Sequence, residues 1–253
     1  MLEVENLYVA YGKKTIINNV SFSVKPGTLC GLLGANATGK TTLLKTICNL
    51  LPYEGTCKLA NADLKSLKQR ELSQLISYIP QRCGVNISLS VLDVMLMGFS
   101  PMFSIFDTPN KTHRQLALKS LEIFQLSHKA HDNFLTLSEG QKQLVILSRA
   151  LMQETSLMIF DEPDSALDFQ NKHIIMNNIQ NNITAEKIAL LTVHDANIAL
   201  KYCNRIILLG NSKIVADLDL SSATSGDIKK GFSNIYTDID VIEYNGACYI
   251  IKT

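Results

Sequence analysis

The spacing of apolar and polar residues divides this chain into segments of different period. Up to Val24, apolar and polar residues alternate between short polar turns, which predicts a small antiparallel sheet. From about residue 88 to residue 152 the period is mostly helical, and beyond that short apolar runs alternate with helical segments. Strands that alternate with helices predict a parallel sheet covered on both faces.

The apolar runs and the helical runs give approximate boundaries. Strands are predicted at Leu29–Leu33, Ile76–Ile79, Leu157–Phe160, Ile188–Val193 and Arg205–Leu209. Helices are predicted at Thr42–Ile47, Leu64–Ser73, Leu116–Phe124, Gln141–Met152, Ile174–Ile183 and Asn197–Tyr202. Near the end, Asn245-Gly246 is a favoured two-residue turn, so Asp238–Tyr244 and Ala247–Ile251 are predicted to form a β-hairpin.

Composition limits what the chain can be. With 46% hydrophobic and 19% charged residues it is globular, and 253 residues suit one large domain or a core with a subdomain. A net charge of +1 argues against a broad nucleic-acid-binding face. Six cysteines without a C-x-x-C pair suggest neither a zinc site nor a redox motif, and they favour a reducing compartment.

Membrane attachment is expected only through a partner. No apolar run reaches the ~20 residues that a spanning helix needs, and no leader peptide is visible. We therefore expect a cytoplasmic chain.

The candidate chemistry centres on the segment Gly34-Ala35-Asn36-Ala37-Thr38-Gly39-Lys40-Thr41, which fits the pattern G-x-x-x-x-G-K-[ST]. A predicted strand precedes it and a predicted helix follows it, so backbone N–H groups and the helix dipole converge on one anion site. Lys40 adds positive charge for the outer phosphates, and the Thr41 hydroxyl can coordinate Mg²⁺. The sequence therefore predicts an α/β fold with a P-loop core that binds a nucleoside triphosphate.

Two acidic residues follow the predicted strand Leu157–Phe160. Asp161 stands at the carboxyl end of this strand, where ligand sites of α/β proteins lie, and it can hold Mg²⁺ directly or through water. The adjacent Glu162 can orient or deprotonate an attacking water. The pair therefore predicts hydrolysis in addition to binding.

A second phosphate-facing helix start is predicted at Leu137-Ser138-Glu139-Gly140-Gln141, which offers a hydroxyl, close backbone approach and a helix dipole. One chain does not need two such sites for one nucleotide, so we expect this one to serve a neighbouring copy. With these motifs the chain resembles the ATP-binding subunits of ABC transporters over nearly its whole length. Gln81, Ser165–Asp168, His194 and Tyr11 match further motifs of that family in the same order.

The resemblance implies a Mg²⁺-dependent ATPase and a set of site residues. They are Tyr11, Gly34, Ala35, Asn36, Ala37, Thr38, Gly39, Lys40, Thr41 and Thr42 for ATP; Thr41, Gln81 and Asp161 for the metal; Glu162 and His194 for catalysis; Ser138, Glu139, Gly140 and Gln141 for ATP contact in trans; and Ser165, Ala166, Leu167 and Asp168 for the D-loop. For Tyr11, a tyrosine at the edge of the core is the competing interpretation.

The resemblance also implies an organisation. A single domain, 1–253, would hold a nucleotide-binding core with an N-terminal antiparallel β-subdomain, residues 1–87 and 153–253. An α-helical subdomain, residues about 88–152, would be inserted in this core. Two copies would enclose two ATP molecules head to tail. The segment Leu137–Gln141, the family's signature, would close in each copy on the nucleotide held by Lys40 of the other.

A narrower similarity is to importers of iron siderophores, haem and cobalamin. It is carried by Ser90–Gly98, Asp168-Phe169, His194–Leu200 and the tail from Ile235 to Tyr249. It implies an integral-membrane permease as partner, an external solute-binding protein as an indirect one, and a peripheral place on the cytoplasmic face of the cell membrane. The apolar segment Phe99–Phe106 either docks on the permease or packs within the helical insertion.

Three residues depart from the family pattern. Ala37 replaces a usual glycine, Glu139 replaces the second glycine of the signature, and Asp164 replaces a common threonine. Ala37 and Glu139 keep a weakly catalytic nucleotide-binding scaffold open as an alternative, and a soluble ABC ATPase of Fe–S cluster assembly is another. Iron chelate, haem, cobalamin and oxyanion all stay open as solutes, since the permease and the binding protein select the solute.

Overall fold

The computed structural model describes residues 1–81, 87–104, 107–165 and 167–253. Over these residues the strands are β1 (Leu2–Tyr11), β2 (Lys14–Val24), β3 (Thr28–Gly34), β4 (Glu54–Leu59), β5 (Ala62–Asp63), β6 (Ile76–Ile79), β7 (Leu157–Asp161), β8 (Ile188–Thr192), β9 (Arg205–Gly210), β10 (Lys213–Asp219), β11 (Ile239–Tyr244) and β12 (Ala247–Lys252). The helices are α1 (Lys40–Ile47), α2 (Gln69–Leu75), α3 (Val91–Leu96), α4 (Lys111–Glu122), α5 (Glu139–Leu151), α6 (Phe169–Asn182), α7 (Ala196–Tyr202) and α8 (Ser225–Phe232).

The chain forms two compact units. The first consists of Met1–Leu67 and Ile183–Thr253, and the second of Lys68–Asn182. In the first unit, an antiparallel sheet has the strand order β2-β1-β4-β5, and β11 and β12 form a separate antiparallel hairpin.

A second sheet of the first unit contains β10, β9, β3 and β8 in that order. The strand β3 runs parallel to both β8 and β9, whereas β10 is antiparallel to β9. All five residues of β8 are buried, as are the five central residues of β3. Such uninterrupted burial is typical of parallel strands covered on both faces.

The second unit pairs β6 in parallel with β7 and contains α2 to α6. The helix α5 is buried on all sides from Gln143 to Ser148, with Leu144, Val145 and Leu147 among its buried apolar residues. Phe134, which precedes α5, is fully buried. These contacts give the second unit its own apolar core.

The predicted α/β fold class is confirmed, with a parallel arrangement of central strands and an antiparallel N-terminal sheet. The predicted helix Leu64–Ser73 begins later, at Gln69, because Ala62–Asp63 pairs with β4 and a turn follows. Neither β10 nor α8 was predicted. A signal for α8 was present, since Thr224 and Asp227 form a capping box at its start.

The described cysteines are free, and most of them are buried. Burial raises the pKa of the Cys30 thiol and of the Cys48 thiol to about 12, and that of Cys57 to about 11. These thiols therefore stay protonated at neutral pH and act as small apolar side chains. Cys83 lies outside the described residues.

Within the described ranges, we find no helix that combines the length and the apolarity needed to cross a bilayer.

Candidate nucleotide-binding and hydrolysis site

The predicted phosphate-binding loop lies between β3 and α1 in the first unit. Gly39 is the N-cap of α1, with φ 103°, and the helix begins at Lys40. Ala35, Asn36 and Ala37 are exposed, whereas Thr38, Thr41 and Thr42 are half-buried. The strand, loop and helix start that the sequence predicted are therefore all present, and they expose the loop for an anion.

Lys40 closes this loop on itself. Its ammonium Nζ donates hydrogen bonds to the carbonyl oxygens of Gly34 (2.8 Å) and Ala35 (3.0 Å), and its side chain is buried. The Thr38 hydroxyl donates to the Ala35 carbonyl oxygen at 2.9 Å. The positive charge is thus held against the loop backbone, where a bound phosphate would meet it.

Two loop glycines have steric reasons for being glycine. A Cβ on Gly34 would overlap the carbonyl oxygen of Leu209. A Cβ on Gly39 would lie 2.8 Å from Ile17 Cδ1 and 3.0 Å from the Ile16 carbonyl oxygen. Neighbouring strands therefore fix the path of the loop from both ends.

Ala37 has φ 63°, in the left-handed region that glycine adopts without strain. We expect Ala37→Gly to stabilise the protein by about 0.5–1 kcal/mol, because relief of the left-handed strain, about 1–2 kcal/mol, outweighs the greater conformational entropy of glycine in the unfolded chain. The urea midpoint of unfolding measures the effect.

Ala60 provides the matched control, since it is exposed and has φ 49°. Ala60→Gly should give a similar gain in stability with no change in ATP affinity. An Ala37→Gly protein that unfolds at a lower urea concentration than the parent would contradict the assignment of strain to this residue.

His194 follows β8 at the edge of the sheet where the phosphate loop follows β3. Leu32 pairs with Thr192 in the parallel register, and Gly34 and His194 each lie two residues further on. The carboxyl ends of adjacent parallel strands share one edge. His194 is exposed and therefore lies at the same edge of this sheet as the phosphate loop.

Tyr11 ends β1 and is 52% exposed, pairing with Lys14 across the β1–β2 turn. Ile16, two residues after Lys14, contacts the position of Gly39. The turn therefore runs beside the phosphate loop, and the Tyr11 ring is accessible for stacking on a base.

In the second unit, parallel pairing brings Gln81 and Glu162 together. Ile79 pairs with Phe160, and the two polar side chains follow two residues later on each strand. Gln81 Nε2 donates a hydrogen bond to Glu162 Oε2. Glutamine and carboxylate are thus coupled directly, although 81 residues separate them in the chain.

Asp161 is the last residue of β7 and is 2% exposed, and Glu162 beside it is 8% exposed. The backbone of Glu162 has φ 52°. A left-handed conformation costs a non-glycine residue about 1–2 kcal/mol, and such strain is concentrated at functional sites. Glu154 and Gln125 occupy the same region, so Glu162 is a functional candidate through its burial and its contact with Gln81 and not through its backbone angle alone.

The signature segment begins α5. Ser138 Oγ accepts a hydrogen bond from the Gln141 backbone N–H (3.3 Å), and Gln141 Oε1 accepts one from the Ser138 N–H (3.1 Å). The carboxylate of Glu139 pairs with Lys142 at 2.7 Å and is largely exposed. Because Lys142 offsets this charge, Glu139 repels an approaching phosphate less than its sequence position alone suggests.

Of the D-loop, Ser165 and Asp168 are exposed and Leu167 is half-buried, whereas Ala166 lies outside the described residues. Asp168 Oδ1 accepts a hydrogen bond from the Asn171 N–H at 2.8 Å, which caps the start of α6. Asp164 is buried and lies 3.9 Å from the Lys172 ammonium.

The apolar segment that begins at Phe99 is partly internal. Phe99 is buried, and its ring centroid lies 4.6 Å from that of His113 with the rings tilted at 54°, whereas Met97 and Met102 are exposed. Ile105 and Phe106 lie outside the described residues. A groove of about 490 Å³ opens beside this segment, lined by Asp93, Leu96, Met97, Ser100, Phe103, Ser104, Asp107, Pro109 and Arg114.

Oxygen donors suited to Mg²⁺ occur in both units. The first offers the Thr41 hydroxyl and the second the carboxylate of Asp161 and the amide of Gln81, all ligand types that hard cations prefer. Over the described residues, no cluster of three or more His, Cys, Asp or Glu side chains could hold a metal alone. Each unit therefore carries oxygen donors of the kind that Mg²⁺ prefers.

Asn197 is a residue that the sequence did not single out. Its side chain exchanges two hydrogen bonds with the backbone of Ile250, 53 residues away. The motif His194–Leu200 contained it but gave no indication of this contact.

The phosphate loop begins and ends with glycine and follows a buried parallel strand, and its lysine stands at the start of the helix. These features define a P-loop nucleotide-binding protein. The ABC transporter family profile matches residues 17–165. The chain is 36% identical to the "Probable iron chelatin transport ATP-binding protein" of Helicobacter pylori, over 85% of each chain. This chain therefore belongs to the ATP-binding subunits of ABC transporters.

Solved structures show the same fold. A transporter assigned to the metal-chelate type, in an inward-facing conformation, matches with a TM-score of 0.78 and 26% identity, over 98% of this chain and 95% of that one. The ATP-binding cassette MJ0796, solved as a dimer in a post-hydrolysis state with ADP and phosphate, matches with a TM-score of 0.77 and 25% identity, over 87% of this chain and 99% of that one.

Proposed function

We propose that this chain hydrolyses ATP as the motor subunit of a membrane importer for a metal chelate. The observation that carries the proposal is the hydrogen bond between Gln81 and Glu162. It joins Gln81, which by the family resemblance would contact the metal and sense the permease, to Glu162, which we assign to hydrolysis. A nucleotide-binding scaffold has no need for such a connection.

ATP binds to the first unit through its phosphates and its base. The N–H groups of the loop and the Lys40 ammonium hold the outer phosphates, since both are positively polarised and face the loop. The adenine stacks on the exposed ring of Tyr11.

Thr41, Gln81 and Asp161 would hold a Mg²⁺ ion together with phosphate oxygens. Such an ion would supply positive charge to the phosphates. Asp161 suits this role because it is shielded from bulk water and stands at the carboxyl end of a strand, where ligand sites of α/β proteins lie.

Hydrolysis uses Glu162 and His194. The Glu162 carboxylate orients the attacking water and accepts its proton, and the terminal phosphoryl group leaves as inorganic phosphate with ADP as the other product. His194 donates a hydrogen bond to a terminal phosphate oxygen and holds the reacting geometry.

A second copy of the chain completes each site. Its helix α5 presents Ser138, Gly140 and Gln141 to the nucleotide held by Lys40 of the first copy, and its D-loop lies nearby. The dimeric form of the related cassette MJ0796 supports this arrangement.

The permease docks in the groove beside α3. This groove combines the exposed side chain of Met97 with Phe103 and the charged Asp107 and Arg114, which suits an amphipathic segment of a membrane partner. Through this partner the chain works at the cytoplasmic face of the membrane, and an external binding protein delivers the solute. A metal chelate is the favoured solute because the relatives named above carry iron chelatin and metal-chelate designations.

Met97→Glu provides the test of this role, because Met97 is 46% exposed in the groove. We expect a tagged Met97→Glu chain to lose its permease in a pull-down from membranes in mild detergent, since a buried carboxylate at the interface is costly. Partners are identified by mass spectrometry. The purified variant should still hydrolyse ATP.

Leu116→Glu is the matched control, with the same 46% exposure on α4 outside the groove. It should recover the permease in amounts equal to the parent chain. Recovery of only soluble partners by the parent chain would reject the importer and favour the Fe–S assembly role. Equal permease recovery by both variants would reject the groove as the docking site.

A further inference from the structure

The C-terminal hairpin packs against the segment that carries His194. The two sides line an open cleft of about 530 Å³ in the first unit. Its walls include His194, Asp195 and Asn197 on one side, and Tyr236, Ile250 and Lys252 on the other. The hairpin is therefore a direct neighbour of a residue that we assign to hydrolysis.

One side chain connects the two sides. Asn197 Nδ2 donates a hydrogen bond to the Ile250 carbonyl oxygen (3.1 Å), and Asn197 Oδ1 accepts one from the Ile250 N–H (2.8 Å). This reciprocal pair uses both functions of the amide, and among side chains only asparagine and glutamine carry a donor and an acceptor in this planar arrangement.

The pair also completes the edge of the hairpin. In an antiparallel ladder, the N–H and C=O of one residue point to the same side. Since both groups of Ile250 bond to Asn197, both point away from β11. Asn197 therefore pairs with the backbone N–H and C=O of an edge residue of β12, as a third strand would. This contact attaches β12 to α7.

A second set of hydrogen bonds connects Asn197 to the residue beside His194. Asp195 Oδ1 accepts hydrogen bonds from the backbone N–H groups of Asn197 (2.8 Å) and Ile198 (3.3 Å). On the other side of His194, Val193 is buried at the end of β8. The backbone at His194 is thus fixed on one side by the sheet and on the other by α7, which the hairpin holds.

We propose that Asn197 is a positioning residue for His194 and that the C-terminal hairpin is the support through which it acts. This inference rests on the proposed role of His194 in hydrolysis. The hairpin fixes the first turn of α7, and this turn sets where the imidazole meets the terminal phosphate. The contact therefore affects the geometry of the reacting complex and not the affinity for ATP.

The first test is Asn197→Ala in the full-length chain. We expect kcat for ATP hydrolysis to fall about tenfold with KM for ATP unchanged, and the melting temperature to fall by a few degrees because two hydrogen bonds are lost. A displaced histidine weakens the reacting geometry, whereas the phosphate loop and its lysine are untouched. Asn234→Ala is the control, because Asn234 donates only to Lys230 and Gly231 carbonyl oxygens at the end of α8. It should hydrolyse ATP as the parent does.

Ile250→Pro tests the same contact from the other side. Proline removes the N–H that Asn197 accepts and leaves the ladder to β11 intact, since that N–H points outward. Cys248→Pro is the control on the same strand, two residues away, where the N–H also points outward. We expect Ile250→Pro to lower kcat as Asn197→Ala does, Cys248→Pro to leave it unchanged, and the double variant of Asn197 and Ile250 to show no further fall.

His194→Ala separates this inference from the proposed function. If His194→Ala keeps the parent kcat, the assignment of His194 to hydrolysis is wrong. If His194→Ala abolishes turnover while Asn197→Ala and Ile250→Pro keep the parent kcat, only the positioning role is wrong. A rise in KM for ATP that accompanies the loss of kcat in Asn197→Ala would show a general structural role and would also overturn the positioning role.

Discussion

Glu162→Gln should reduce ATP hydrolysis by a factor of about 10² to 10⁴, which is the range that a general base contributes. The change removes the negative charge that accepts the proton of the attacking water and keeps the shape of the side chain. The carbonyl oxygen of the introduced amide can still accept the hydrogen bond from Gln81, so the fold should be retained. The rate of phosphate release under saturating ATP and Mg²⁺ measures the effect, and calorimetric titration should give an unchanged ATP affinity.

Glu154→Gln makes the same change of charge at an exposed residue of the second unit and should leave the rate unchanged. Hydrolysis by Glu162→Gln at the parent rate would exclude Glu162 as the base. If both the rate and the melting temperature fell, the side chain would have a structural role instead.

Lys40→Ala should weaken ATP binding by about 100-fold or more. The ammonium is a buried positive charge within the phosphate loop, and each hydrogen bond between a charged group and a phosphate contributes about 1.5–3 kcal/mol. Every 1.4 kcal/mol corresponds to a factor of ten in affinity. The loss also leaves the carbonyl oxygens of Gly34 and Ala35 without their shared donor, so the loop becomes less well ordered. Titration with a fluorescent ATP analogue measures the dissociation constant.

Lys45→Ala is the control on the same helix, one turn beyond the loop, and should bind ATP as tightly as the parent. Parent-like affinity in Lys40→Ala would mean that the nucleotide does not use this loop. Equal weakening by both variants would point to unfolding of α1, which circular dichroism would detect.

Local pattern was enough to predict much of the fold. The strand at 29–33, the loop after it and the helix that follows are coded by adjacent residues, and the structure extends each by only a few positions. The hairpin turn at Asn245-Gly246 has the positive φ angles that this dipeptide favours. The late start of α2 was not predictable in this way, because it depends on the pairing of β5 with β4.

The sequence by itself determined the family, the order of its motifs and the chemical type of each candidate residue. Lysine suits phosphate, threonine and aspartate suit Mg²⁺, and glutamate suits an attacking water. These chemical preferences belong to the residue types and do not depend on the fold. Only the tertiary structure decided which side chains meet. Gln81 reaches Glu162 because β6 and β7 pair in parallel register, and Asn197 reaches Ile250 because the hairpin folds back onto α7. The physical reason is that such contacts join residues 53 to 81 positions apart, and their geometry depends on register and packing, which no local pattern encodes.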